Sequence, residues 1–443
     1  MPPRATARWR RLPGVRPDPG DIFVLPTDLA RHATPFALAL VTLVPGLAAA
    51  DALTREEARA RADSAHPGLA AMVAEAAARA ADLDQAGARP NPELEVSFEN
   101  FAGTGDASGL DALEATFALS QTLELGSKRS ARVRVAALER DLADLDLAAR
   151  RRQVRAEVDH AFAETLVAQR RLALADTLVA FGDELLAAVT RRVRAGGASL
   201  IEERRARVAA ETDRLRRDDF ARDLEIARAQ LAAQWGGDPD FAAVDGDLAP
   251  ARTPPPLAAL LERLPRRPDA RRPELRTAAQ RAAADEARAT GTPDVTLSGG
   301  LRRWSDTGDL AWILGVSVPL PLADRRDGAK RAARHRVDAA EGLRLEQERN
   351  AEAELRSLHA RLVTTATESE AVRARILPEA IAAFEEAQEA YALGRLRLTD
   401  VLDVERALFE LHARELDLRA DHRFATIELE HLLGAPVAPG EGN

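Results

Sequence analysis

The sequence has no cysteine, one tyrosine and two methionines, and only 4% of its residues are aromatic. Without cysteine, disulfides, thiolate metal sites and cysteine nucleophiles are excluded. A basic excess is also missing: 62 Lys and Arg stand against 71 Asp and Glu, for a net charge of −9. An acidic chain without a basic patch argues against a nucleic-acid partner. The eight histidines are scattered with no i, i+3 or i+4 pair, and methionine occurs only at Met1 and Met72. No dedicated metal site is expected from such a set. Nor is there a Ser/His/Asp set, a phosphate loop or a dinucleotide fingerprint. Catalysis is therefore the least expected role, and no cofactor is expected.

What the chain does contain is helix-forming material. Ala, Arg, Leu and Glu dominate, 46% of residues are hydrophobic and 30% are charged. Spread over long stretches without Gly or Pro, that mixture is the profile of very long helices. A length of 443 residues has room for two or three ordinary domains. Residues 1–50 read as an N-terminal extension and signal peptide. Arg31-His32 precede the apolar run Pro35–Leu47, and Ala48-Ala49-Ala50 make a small-residue cleavage site before Asp51. The run is too short to span a membrane as a helix. Residues 1–30, rich in Arg and Pro, are either an extended basic region or the product of a start codon placed too early. Removing residues 1–50 takes away six Arg and three Asp and brings the net charge from −9 to −12.

The remainder is one pattern written twice, offset by roughly 200 residues, and such repeats decide the fold reading. SQTLELGSKRSARVRV from Ser120 resembles SVPLPLADRRDGAKRAARHRV from Ser317. HPGLAAMVAEAAARA from His66 resembles RPELRTAAQRAAADEA from Arg272, and QLAAQWG ending at Gly236 matches IELEHLLG ending at Gly434. The first repeat is expected at 51–236, a Gly-, Asp- and Pro-rich linker at 237–256, the second repeat at 257–435 and a tail at 436–443. Each repeat opens with a helix, at about 53–88 and 256–289, followed by two strands and two helices.

Strands are expected at about 92–102 and 114–125, then at about 294–304 and 309–322. In the first of them Leu94, Val96 and Phe98 alternate with Glu93, Glu95, Ser97 and Glu99. Such alternation suits a lipid-facing barrel strand with its apolar side outward, and equally an ordinary half-buried hairpin. Trp304 and Trp312, on or beside the second pair, suit an aromatic girdle or a core.

The helices favour the membrane reading. Those of the first repeat are expected at 127–195 and 198–235, those of the second at 328–393 and 398–433, with a kink at Pro378. From Ser127 to Arg194 there is no Pro and one Gly, Gly182, which allows about 100 Å of helix at 1.5 Å per residue. Its apolar positions step by threes and fours through Leu138, Leu142, Leu145, Val154, Val158 and Phe162, a narrow coiled-coil seam. Each long helix turns at a glycine-containing tip, Gly196-Gly197 or Gly394. A long hollow bundle is the economical use of such helices. Two hairpins are too few to close a barrel, so a barrel shared between chains is required if they lie in lipid.

LTREEARARA at Leu53, GARPNPELEV at Gly87, SQTLELGSKRSARV at Ser120 and YALGRLRLTDVLDVERAL at Tyr391 resemble the TolC-like outer-membrane efflux family over about 52–435. PNPELEV and the QTLELG segment are most similar to its CzcC-type branch, the outer-membrane parts of heavy-metal cation exporters. The resemblance implies a mainly α protein with β strands, a coiled-coil tunnel in the periplasm and a homotrimer. Each chain would give four strands to a twelve-stranded barrel in outer-membrane lipid. It further implies a passive exit duct loaded by a periplasmic adaptor and an inner-membrane pump of the resistance-nodulation-division type. A multidrug or type I protein-secretion duct of the same fold is the nearest alternative. A soluble coiled-coil scaffold is the alternative of another class.

The family closes its tunnel at packed helix tips, with a glycine followed six positions later by an acid and, in the second repeat, another acid three further on. Gly394, Asp400 and Asp403 match this motif, making the two aspartates the implied pore gate. One turn apart they share a helix face, and in a trimer they would form two stacked rings of mutually repelling carboxylates that attract cations. Gly196 stands six before Glu202, and Tyr391 three before Gly394. In the family these positions bond across, so Glu202 and Tyr391 are the implied latch. The family's gate arginine falls on Leu396, so its salt bridge does not carry over to that position, and the flanking Arg395 and Arg397 join Glu202 and Tyr391 as implied latch candidates. The implied adaptor-docking tips include Gly196, Gly197, Ser199, Gly394 and Leu396.

Overall fold

The computed structural model describes residues 52–105 and 108–437. The expected signal peptide and most of the tail lie outside them. The chain starts with two short helices, α1 (Arg55–Ala65) and α2 (Pro67–Ala86). Thr54 starts α1 with a capping box: its hydroxyl accepts from the Glu57 amide while the Glu57 carboxylate accepts from the Thr54 amide, satisfying two otherwise orphaned donors. Strands β1 (Glu93–Glu99) and β2 (Glu114–Leu123) follow, then α3 (Lys128–Arg194) and its return α4 (Leu200–Ala233). The second half has α5 (Leu257–Arg263), α6 (Arg271–Ala289), β3 (Val295–Trp304) and β4 (Leu310–Ser317). It closes with α7 (Asp327–Ala371), α8 (Leu377–Ala392) and α9 (Leu398–Leu433).

With 67 residues, α3 extends for about 100 Å. Six of its sixteen buried positions are alanine, among them Ala136, Ala143, Ala161 and Ala175, which lets neighbouring helices approach closely there. Larger apolar side chains gather in separate clusters along the bundle. One joins Val154, Val158, Phe162 and Leu231 to Phe241, Val244 and Leu248. Those last three belong to the stretch expected as a linker. It contains no helix, but it is stapled down: Val244 forms a bridge with Leu53, and the Val244 amide donates to Gln169 Oε1 at 2.7 Å. A second cluster packs Leu355, Leu358 and Leu362 of α7 against Leu429 and Leu433 of α9.

The helix expected at 328–393 with a kink at Pro378 is divided near that proline. Between α7 and α8 lies a π-helical turn, Val372–Ile376, and Pro378 sits in the first turn of α8. Proline has no amide hydrogen and its ring crowds the carbonyl four residues back, here Ala374; the widened turn absorbs that clash without ending the rod.

The four strands form one antiparallel sheet in the order β1-β2-β3-β4. Its central pairing joins the two halves of the chain, with Phe117 opposite Leu301 and Leu119 opposite Gly299. Among the described residues both outer strands leave an edge unpaired. β1 stops at Glu99, short of the expected 102, because Asn100 and Ala102 turn left-handed at φ 56°. β4 stops at Ser317 where 322 was expected, since Pro319 and Pro321 cannot donate to a ladder.

Register sorts the sheet into two chemistries. One face carries Leu94, Val96, Phe117, Leu301, Trp312 and Leu314, paired across the strands as Leu94–Leu119, Val96–Phe117 and Leu301–Trp312. It faces outward: Trp312 is 80% exposed and Leu314 87%. Trp312 therefore belongs to the exposed apolar face and not to a core. The opposite face carries Glu93, Glu95, Thr116, Ser120, Ser298 and Arg302 and is mostly small or polar, with Trp304 opposite Glu114 and Ile313 opposite Gly300 as its large apolar members. Among the described residues no helix is long and apolar enough to cross a membrane.

Candidate functional site

Two places combine unusual geometry with charge: the polar face of the sheet and the pair of helix tips at the far end of the bundle. On the sheet, Arg302 bridges β3 to its neighbours. Its guanidinium lies 3.1 Å from Glu114, 3.3 Å from Glu99 and donates to Thr116 Oγ1 at 2.9 Å. Gly300, one pair further, is needed for close approach: a Cβ there would lie 2.4 Å from the Phe117 carbonyl oxygen. The resulting surface is a polar, predominantly acidic wall behind an apolar exterior, the arrangement of a barrel strand set rather than a buried hairpin.

At the first tip, α3 unwinds through Ala195 and Gly196, and Ser199 caps α4 by accepting from the Glu202 amide at 3.2 Å. At the second, α8 ends in a Schellman-type turn in which the Arg395 amide donates to the Ala390 carbonyl at 2.8 Å. Gly196 and Gly394 occupy these turns at φ 74° and 75°, a left-handed conformation that costs a side-chain-bearing residue about 1 kcal/mol. Both reversals of the long rods fall at these glycines.

The tip core contains Val189, Ala206, Ala387, Tyr391, Leu398 and Val401, with Leu396 packed against it. Leu396, at the family's arginine position, is thus an apolar anchor. Arg395 contributes its backbone to the turn. Arg397 reaches back to Asp400, with Nη2 to Oδ1 at 3.4 Å, and Thr399 Oγ1 also bonds Asp400 at 3.2 Å. Partial desolvation pushes the Asp400 carboxyl upward, but the hydrogen bonds and charge of Arg397 outweigh it and hold it below the usual aspartate value. Asp403, on the next turn, is 73% exposed and 3.9 Å from Arg406.

Tyr391 is buried, and its hydroxyl has no hydrogen-bond partner among the described residues. Burial pushes that phenol up from its ordinary value; Arg192 opposes this and the Glu202 charge adds to it. The structure brings Glu202 near Tyr391 without a bond between them. The residue that joins the tips is Arg192 of α3. Its guanidinium stacks over the Tyr391 ring at 4.5 Å, Nη1 donates to the Tyr391 carbonyl, and Nη2 donates to the Gly197 carbonyl at 3.3 Å. Sequence reasoning passes over this arginine because RRVRAGG reads as an ordinary basic helix end.

Comparison with known proteins decides what such a molecule is. Residues 58–237 and 260–435, one stretch in each half, match the family described as "Outer membrane efflux protein". The chain belongs to the outer membrane efflux protein family. It is 30% identical over 389 residues to the cobalt-zinc-cadmium resistance protein CzcC of Cupriavidus metallidurans, spanning 87% of this chain and 91% of that one. It is also 30% identical over 279 residues to the nickel and cobalt resistance protein CnrC of the same organism, spanning 62% and 65%. Among solved structures it is similar to the outer membrane protein VceC of Vibrio cholerae, with 19% identity, a TM-score of 0.72, and coverage of 86% of this chain and 96% of that one. The chain is accordingly an outer-membrane channel with a periplasmic helical tunnel, mainly α with a four-stranded antiparallel contribution to the barrel, and not an enzyme. Family members are trimeric channels that work with an adaptor and an inner-membrane pump.

Proposed function

We propose that this efflux protein is the exit duct for heavy-metal cations in a tripartite system. Three copies close the open sheet edges into one barrel in outer-membrane lipid, and their α3, α4, α7, α8 and α9 rods form the tunnel. The carrying observation is the sheet itself: one face apolar and exposed, the other acidic, and both edges unpaired in a single chain. Unpaired edges in hydrocarbon cost several kcal/mol per backbone group, so the edges must be closed by further copies. The cargo reading rests on similarity to CzcC and CnrC, with the acidic wall as its physical complement. A periplasmic adaptor docks at the tips around Gly196, Gly197, Ser199, Gly394 and Leu396, and the pump is of the resistance-nodulation-division type.

The test is susceptibility of a deletion strain. Loss of tolerance to cobalt, zinc, cadmium or nickel salts with unchanged tolerance to dyes and detergents is expected; the reverse pattern would move the protein to the multidrug ducts.

Asp400 and Asp403 are the proposed constriction. Replacing both by alanine is expected to raise single-channel conductance in planar bilayers and weaken block by polyvalent cations by about tenfold, on the scale of 1.4 kcal/mol for the lost charge rings. Unchanged block would remove them from the pore.

A further inference from the structure

Behind the tips, four helices enclose two carboxyl groups that the channel reading leaves without a task. Glu405 of α9 is 8% exposed, and its Oε1 has no hydrogen-bond partner among the described residues. Asp213 of α4 has a side chain 14% exposed, and its nearest cation, Arg216, stands at 3.9 Å. α4 and α9 meet on either side of this level: Ala206 packs with Val401 toward the tip, and Arg216 lies over Phe409 at 5.3 Å further along.

From α3 the neighbour is Gly182, the one glycine in that helix, where a Cβ would touch Asp213 Oδ2 at 3.4 Å and Ala210 Cα at 3.5 Å. A mid-helix glycine costs about 1 kcal/mol relative to alanine. Here a methyl would rest in ordinary van der Waals contact with the carboxylate, so α3 packs directly against Asp213. α3 and α8 meet beside it through the Phe181–Phe384 pair at 5.7 Å. Charges bear on the two acids unequally. Arg216 and Arg406 act on Asp213, whereas among the described residues the charge that bears on Glu405 is that of Asp213. Asp403, on the same helix as Glu405, turns to solvent beside Arg406.

Two buried carboxylates with no cation between them cannot both ionise cheaply. Desolvation first, and the Asp213 charge second, push Glu405 up to about 7. Asp213 is raised by burial against the pull of its arginines.

We infer that Glu405 carries a proton that seals α9 to α4 behind the tips, and that losing it places two like charges in one buried site and loosens that end of the bundle. The sign follows from linkage. Glu405 holds its proton in the closed bundle up to about pH 7, but an opened helix would release it near the ordinary glutamate value of 4.5. Closure is therefore favoured most below that lower value, weakens as pH rises between the two, and is level above about pH 7. The consequence for conduction rests on the tunnel reading; the proton itself does not.

Hydrogen exchange of the full-length protein in detergent tests the proton directly. After correction for intrinsic rates, protection of segments 200–215 and 398–410 should fall by up to about tenfold per pH unit between about pH 5 and 7, then level off. Glu405→Gln, which mimics the protonated acid, should hold the acid-side protection throughout. Asp213→Asn should shift the fall to lower pH, and serves as well if the first variant assembles poorly. A profile unchanged in either variant overturns the inference. Bilayer conductance of the same samples reads the consequence: wild type passing more current at about pH 7 than at about pH 5, with Glu405→Gln level. Altered exchange without channels would fault the tunnel reading and leave the proton in place.

Discussion

Leu314→Arg is expected to abolish recovery of the protein in outer membranes. Leu314 lies at the centre of the edge strand β4, opposite Gly299 and on the face shared with Trp312 and Val316. Its 87% exposure in the single chain leaves only lipid to cover it. An arginine facing lipid near the bilayer midplane costs about 2–4 kcal/mol, and a trimer bears that cost three times. Glu95→Arg is the control, since Glu95 lies on the opposite, polar face of β1 across from Ala118. Recovery of both variants in the membrane fraction should be measured with wild type alongside. Equal recovery of Leu314→Arg and wild type would mean that this face does not meet lipid.

The second large effect concerns the tips. Arg192→Ala is expected to raise the open fraction of reconstituted channels by roughly tenfold or more. The guanidinium holds the Gly197 carbonyl of its own tip and makes two contacts to the other tip, with the Tyr391 ring and the Tyr391 carbonyl, and those two are lost when the tips separate. A cation–π contact contributes about 0.5–2 kcal/mol and a charged hydrogen bond about 1.5–3, so even partial recovery by water leaves about 2 kcal/mol per subunit. Lysine cannot reach both carbonyls and stack at once, so Arg192→Lys should fall between. Tyr391→Phe should change little, because the hydroxyl has no partner while the ring and the carbonyl are kept. A rise in open fraction with Tyr391→Phe but not with Arg192→Ala would instead support a Glu202–Tyr391 latch.

These predictions differ in how far sequence alone could carry them. Leu314 was legible because a strand's period of two survives in any register, so alternation names the apolar face before the pairing is known. The tips were legible for a similar local reason: a left-handed turn selects glycine, and Gly196 and Gly394 mark the two places where the rods reverse. Arg192 was not legible. Its partners lie 199 residues away at Tyr391 and five away at Gly197, and nothing in a run of arginines says which one faces another helix. Glu405 was hidden the same way. Within DVERAL it reads as a solvated helix position, and only the packing of α9 into the bundle buries it within reach of the Asp213 charge.

By itself, then, the sequence determined the quantities that depend on neighbours along the chain: helix length, strand alternation, glycine turns and the repeat of one half in the other. Tertiary structure decided what depends on neighbours in space. It joined β2 to β3 so that two hairpins became one sheet with open edges, and folded the Gly-rich stretch after Gly236 into the core. It also turned Pro378 from a simple kink into a π turn, made Arg192 rather than Glu202 the partner of Tyr391, and left a buried acid without a cation. The dividing line is physical: local conformational preference is written in short-range order, whereas desolvation and charge pairing exist only after distant segments have packed.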